Sequence, residues 1–171
     1  MSEKRLLKNN ILLVTEKSEN TKTVSVGFWF RVGSRNEDSR HRGISHLTEH
    51  MIFKGTNSLS TKDIAVTFDK TGGFANAFTE KENVCMHFTV PAIKENLRTA
   101  MSVFCDMAQN AVFPAEEFER EKEVVKKEIE NISKKALKEK LITGKESAYM
   151  SQFLATISPT CFLLYGSLSP A

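Results

Sequence analysis

His46, Glu49 and His50 fall within five consecutive residues, His-Leu-Thr-Glu-His. Each helical residue advances about 100°, so the two histidines lie about 40° apart on one face, one turn above the other. Two imidazoles in that relation can bind one zinc ion tetrahedrally. Glu49 is displaced to the side of the pair. There it can reach a water at the metal without occupying a coordination position. Such a set suits metal-assisted hydrolysis: zinc lowers the pKa of water toward about 7 and polarises a carbonyl, while a carboxylate removes the proton. The order reverses the commoner H-E-x-x-H. The bland alternative is two surface histidines and a solvated glutamate at helical spacing.

A tetrahedral site takes a third protein ligand and keeps its fourth position for water. By residue type the candidates are His41, His87, three cysteines and many carboxylates. The run from Phe118 to Ile129 narrows the choice. Glu121 and Glu128 are seven apart, so on a helix they share a face roughly 10 Å apart along the axis. Val124, Val125 and Ile132 lie on or beside that face. Carboxylates on an apolar helix face are costly unless paired or bound to metal. On spacing alone, a metal site and a solvated charge run describe Glu121 and Glu128 equally well. Glu119, Glu123, Lys126 and Glu130 read as solvated surface.

These side chains need elements to hold them. Leu6-Leu7 and Ile11 to Val14 read as short strands around an Asn-rich tight turn, since Asn tolerates positive φ. Val24, Val26, Phe28, Phe30 and Val32 alternate with Thr23, Ser25, Gly27, Trp29 and Arg31, a strand with one apolar face. From Gly43 to Lys54 the period becomes helical, and Gly55 supplies a stop. Ser60 to Asp63 is a capping box for a second helix that ends at Gly72-Gly73. Phe74 to Phe78 and Val84 to Val90 are strand-like. Pro91 opens a helix carrying Ile93, Leu97, Met101, Phe104 and Met107 on one side, and Pro114 opens another that runs to about Lys140. The pattern predicts an α+β fold with helices packed on a mostly antiparallel sheet. Residues 1–140 form the domain, and 141–171 are a tail outside its compact pattern, uncharged from Ser147 onward.

Composition excludes several classes. At 171 residues with 40% hydrophobic and 26% charged, the chain can bury a core, which rules out wholesale disorder. A formal charge of +3 is too mild to demand nucleic acid or an anionic membrane. Lys134, Lys135, Lys138 and Lys140 lack the interleaved aromatics of a nucleic-acid surface. Three dispersed cysteines argue against a disulfide framework and for a reducing compartment. Neither the N-terminus nor Cys161–Tyr165 has the length of a signal peptide or a membrane span, so the expected location is cytoplasmic. His87 reads as structural, and Cys85 and Cys105 as small core residues.

Gly27 to Glu37, Gly43 to Thr56, Asn76-Ala77-Phe78-Thr79 with Glu80 to Glu82, and Glu121 to Glu128 together resemble the N-terminal half of the pitrilysin (insulinase) family. This is the inverzincin group that includes insulin-degrading enzyme and the mitochondrial processing peptidase. The resemblance runs in order from about Arg5 to Ile132. It implies a processing-peptidase-like fold, one Zn2+ per chain held by His46, His50 and Glu128, and Glu49 as general base. It further implies that Glu121 is a supporting carboxylate orienting a ligand histidine. Asn76 and Ala77 would lie on a sheet edge that pairs with peptide main chain.

The implied reaction is endopeptidase cleavage of peptides or unfolded polypeptides. The implied partner is a second homologous half or subunit, because family members are built from two related halves around a chamber. Nothing here matches the second half, and the break after Ile132 reads as that of a truncated or frameshifted product. An alternative follows: an incomplete fragment or non-catalytic subunit that binds peptides or a partner.

Overall fold

The N-terminal apolar runs fold as a hairpin, Ser2–Leu6 (β1) against Leu12–Glu16 (β2), antiparallel with Leu6 opposite Leu12. Asn10 takes φ 62° in the turn, as the Asn-rich spacing predicts. The elements that follow are Thr23–Phe30 (β3), Ile44–Met51 (α1), Thr61–Thr71 (α2), Phe74–Thr79 (β4) and Val84–Pro91 (β5). Lys94–Asn110 (α3), Ala115–Lys138 (α4) and Leu163–Ser167 (β6) complete them. The computed structural model describes residues 2–8, 10–138 and 163–167, with 132–138 and 163–167 as backbone.

Strand β5 is the centre of an antiparallel sheet, with β3 on one side and β4 on the other. Pleating sends Val24, Val26, Phe28 and Phe30 of β3 and Val84, Met86, Phe88 and Val90 of β5 to one face, and all eight are buried. Helices α2 and α3 close that face with Ile64, Phe68, Ala100, Val103, Phe104 and Met107. Phe104 is the hub: its ring stands edge-on to Phe28 at 5.1 Å and to Phe88 at 4.9 Å. Edge-to-face pairs of this kind add about 0.5–1.5 kcal/mol each beyond burial. The opposite face carries Trp29 against Phe78, and His87 between Phe74 and Phe78. His87 is thus held by aromatic packing. Cys85 is buried, and burial pushes its thiol up to about 12, so it is inert packing.

Helix α2 has the capping box its sequence announces. The Ser60 hydroxyl accepts from the Asp63 amide at 3.2 Å, and the Asp63 carboxylate accepts from the Ser60 amide at 3.0 Å.

The structure departs from the sequence pattern at three points. Pro91 is the last residue of β5, opposite Thr23, and helix α3 begins only at Lys94. A strand end tolerates proline because the missing N–H is not needed there. Ile93 consequently precedes the first helical turn and is 57% exposed instead of facing the core. Finally, Leu163–Ser167, within the stretch read as a tail, is a strand parallel to β2 from Leu12↔Leu163 to Glu16↔Ser167, and it also runs close to β3. The rest of 141–171 lies outside the described residues. Among the described residues no helix is long and apolar enough to cross a membrane.

Candidate metal centre

Helix α1 has only eight residues, too few to be stable alone, so packing must hold it. Its N-cap is Gly43 at φ 107°, a left-handed conformation that side-chain-bearing residues adopt only under strain. Ser45, Leu47, Thr48 and Met51 are buried. The remaining surface presents His46 and His50, whose side chains are 23% and 18% exposed.

Helix α4 reaches this surface through one apolar contact. Val125, 5% exposed, packs with Leu47 and Met51 of α1, and Phe113 and Phe118 seal the edge. Val125 stands between Glu121 and Glu128, so the contact that joins the helices also sets both carboxylates against the histidines. Val124, grouped with that face by spacing, is instead exposed. One residue of offset on a helix turns a side chain by about 100°, enough to leave the interface. Replacing Val125 with Ala should cost about 1–3 kcal/mol through lost burial and the cavity left behind, read as a lower midpoint in urea denaturation.

The polar atoms converge. His46 Nε2 lies 3.2 Å from His50 Nε2, and Glu128 Oε2 lies 3.4 Å and 3.6 Å from those two nitrogens. Ligand atoms arranged tetrahedrally about zinc at about 2.0–2.1 Å are separated by roughly 3.3 Å. The three atoms therefore already form one face of such a tetrahedron to within a few tenths of an ångström. The donor set of two imidazoles and one carboxylate also suits zinc.

The histidines are prepared for this. His50 Nδ1 donates to Glu121 Oε2 at 2.8 Å, so in the neutral ring Nε2 keeps a free lone pair toward Glu128 and His46. Burial drives the pKa of His46 below its ordinary value; Glu49 and Glu128 oppose this and His50 adds to it, so the net shift favours a neutral ring. For Glu121, burial works against the charged form, but hydrogen bonds from Lys54 and His50 outweigh it and hold the carboxyl below its usual range.

Glu49 lies in the same cluster: its carboxylate and the two imidazoles offer ligand atoms within 4.8 Å of one another. Its Oε2 accepts a 2.6 Å hydrogen bond from the Thr79 hydroxyl, at the end of β4. Glu49 also borders an apolar cavity of about 160 Å³ lined by Phe30, Ile52, Met86 and Met107 among others. Strand β4 is the outer strand of its sheet, and no strand pairs with its other edge among the described residues. It carries Asn76 and Ala77, and the Ala77 amide donates to Asn76 Oδ1 at 2.9 Å.

The structure thus gathers His46, Glu49, His50, Glu121 and Glu128 at the α1–α4 junction, with Asn76 and Ala77 on the adjoining sheet edge. Two residues at the site carry no sequence-derived role. Thr79 is 30 residues from Glu49, and no local spacing links them. Lys54 could have been read from its i+4 relation to His50, which places both on one side of α1 and its extension. Elsewhere on α4, the solvated reading holds: Lys122 pairs with Glu119 and Lys126 with Glu123, all outside the site.

Fold and site together define an α+β protein with a histidine–carboxylate cluster between two helices that could hold a metal ion. The chain belongs to the insulinase family, peptidase family M16, whose model matches residues 12–155. It is 39% identical over 129 residues to the uncharacterized zinc protease YmxG of Bacillus subtilis, covering 75% of this chain and 31% of that protein. To the probable mitochondrial-processing peptidase subunit beta of Arabidopsis thaliana it is 32% identical, covering 74% of this chain and 23% of that protein. A protease from Helicobacter pylori superposes with a TM-score of 0.68 at 29% identity, over 75% of this chain and 30% of that one. A peptidase M16 inactive domain from Pseudomonas fluorescens gives 0.76 at 17% identity, over 98% of this chain and 47% of that one, a likeness of fold alone. The chain spans less than a third of the length of the curated relatives named here.

Proposed function

We propose that this chain carries the zinc centre of a metalloendopeptidase, with one zinc held by His46, His50 and Glu128 and with Glu49 as the general base. The observation that carries this reading is the convergence of His46 Nε2, His50 Nε2 and Glu128 Oε2 at 3.2–3.6 Å, with Glu49 beside them. When bound, zinc supplies a water of lowered pKa and a Lewis acid for a peptide carbonyl.

The chain's own groups do the rest. Glu49 takes the proton at a carboxylate oxygen and passes it toward the leaving amine. Thr79 occupies Glu49 Oε2, which leaves Oε1 for that transfer and fixes the carboxylate's orientation. Glu121 holds His50 by its Nδ1. The outer edge of β4, with Asn76 and Ala77 and with no strand paired to it among the described residues, receives an extended peptide by main-chain pairing, which suits unfolded polypeptides of varied sequence.

The contribution of Thr79 is separable. Thr79→Val should lower kcat about tenfold with little change in KM, because one hydrogen bond to an ionised group is lost. Thr79→Ser should restore it.

The test of the reading is hydrolysis of an unstructured fluorogenic peptide by the purified chain. Cleavage is expected to stop with a zinc chelator and return with added zinc. A second reading is a subunit or fragment that binds peptides or a homologous half without cleaving. It rests on the outer edge of β4, unpaired by any strand among the described residues, which offers main-chain pairing whether or not cleavage follows. Zinc-loaded protein that binds the peptide yet never cleaves it would select this second reading.

A further inference from the structure

Glu121 and Glu128 project from one face of α4 toward the same pair of histidines, and both have the chemistry of a zinc ligand. Something must keep one of them out of the coordination sphere. Glu121 is the more buried, 12% exposed against 44% for Glu128, and a desolvated carboxylate near a dication would bind it unless otherwise engaged.

Both oxygens of Glu121 are engaged. Oε2 accepts from His50 Nδ1 at 2.8 Å, and Oε1 accepts from Lys54 Nζ at 2.5 Å. The Lys54 ammonium is itself 21% exposed, with Glu117 as a more distant partner at 3.9 Å. Its place is set by the backbone. The Lys54 amide closes the last turn onto Met51 O at 2.9 Å. Gly55 then turns the chain away at φ 127°, and bridges Gly55↔Ser60 and Thr56↔Ala111 anchor it. The ammonium is therefore presented one turn beyond His50, on the side facing α4.

We infer that Lys54 is a positioning residue of the metal centre, pinning Glu121 so that it orients His50 and leaves zinc ligation to Glu128. This rests on the zinc reading above. With Lys54 removed, Glu121 Oε1 loses its partner in a poorly solvated place. The carboxylate then turns away from Nδ1, and His50 loses the contact that fixes its ring. Groups that support a ligand histidine commonly contribute 10–100-fold to metal affinity.

The experiment compares zinc affinity by competition with a chromophoric chelator in wild type, Lys54→Met, Lys54→Arg, Glu121→Gln and the double variant Lys54→Met/Glu121→Gln. Lys54→Met is expected to bind zinc about tenfold more weakly or worse, and Lys54→Arg to recover most of the loss. The double variant should fall within about twofold of Glu121→Gln alone, because the lysine acts only through that carboxylate. Cobalt-loaded Lys54→Met should show altered visible absorption, reporting a changed ligand field. Melting of the metal-free Lys54→Met protein should fall only slightly, because the released Glu121 carboxylate turns toward solvent, so the loss of zinc affinity should exceed any loss of stability. Three results would overturn the inference: wild-type affinity in Lys54→Met, full additivity in the double variant, or an affinity loss matched by an equal loss of metal-free stability. Absence of zinc from the wild type would instead overturn the zinc reading on which it stands.

Discussion

Glu49→Gln is expected to keep one zinc per chain and to lower peptide hydrolysis by about 10²–10⁴-fold, the usual contribution of a positioned proton acceptor. The amide is nearly isosteric with the carboxylate and can still accept from the Thr79 hydroxyl, so α1 should keep its place beside β4. It cannot take up a proton at neutral pH. The Glu49 carboxylate lies within 4.8 Å of both imidazoles, but as the proposed proton acceptor, with Glu128 as the third ligand, it should not be needed to retain the metal. Zinc content and hydrolysis measured on the same preparation separate the two roles. Parallel loss of both would make Glu49 a ligand or a structural residue, and undiminished hydrolysis would remove it from the chemistry.

Glu128→Gln should do the opposite and cost more than about 100-fold in zinc affinity. It removes the anionic member of a three-ligand set, whereas a supporting residue commonly accounts for 10–100-fold. Because Glu128 is 44% exposed, the substitution should leave stability within about 0.5 kcal/mol, read as an unchanged urea midpoint in metal-free protein. His46→Ala is the companion variant and should match it. Weak acid should weaken zinc binding as well, since the imidazoles must be unprotonated to ligate and protons compete for the same lone pairs. Burial of His46 moves that competition to lower pH than for an exposed histidine.

The parts of the fold legible in sequence were those with strict local periods. The alternation from Val24 to Phe30 and from Val84 to Val90 is the pleat of the two strands that face the core, and the Ser60–Asp63 capping box is the start of α2. Where two signals compete, the pattern is ambiguous. Pro91 serves as well at a strand end as at a helix start, and only the pairing with Thr23 decides it. Strand β6 had no polar alternation to announce it.

At the site, His46, Glu49 and His50 are legible because one helix turn brings them together. The place of Glu128 depends on α4 crossing α1, a tertiary contact made through Val125 that spacing within α4 leaves open. Spacing alone left Glu121 and Glu128 alike. They differ because Lys54 and His50 share Glu121, while Glu128 Oε2 faces both imidazole nitrogens. The Thr79–Glu49 contact joins a strand to a helix across 30 residues, beyond any local rule.

Zinc ligation by His46, His50 and Glu128 is read out by elemental analysis of the purified wild type after dialysis against zinc-free buffer. The expected result is about one zinc per chain, falling toward zero in Glu128→Gln and His46→Ala and retained in Glu49→Gln. Folded wild type that binds no zinc, or Glu128→Gln that holds it as firmly as wild type, would contradict the assignment.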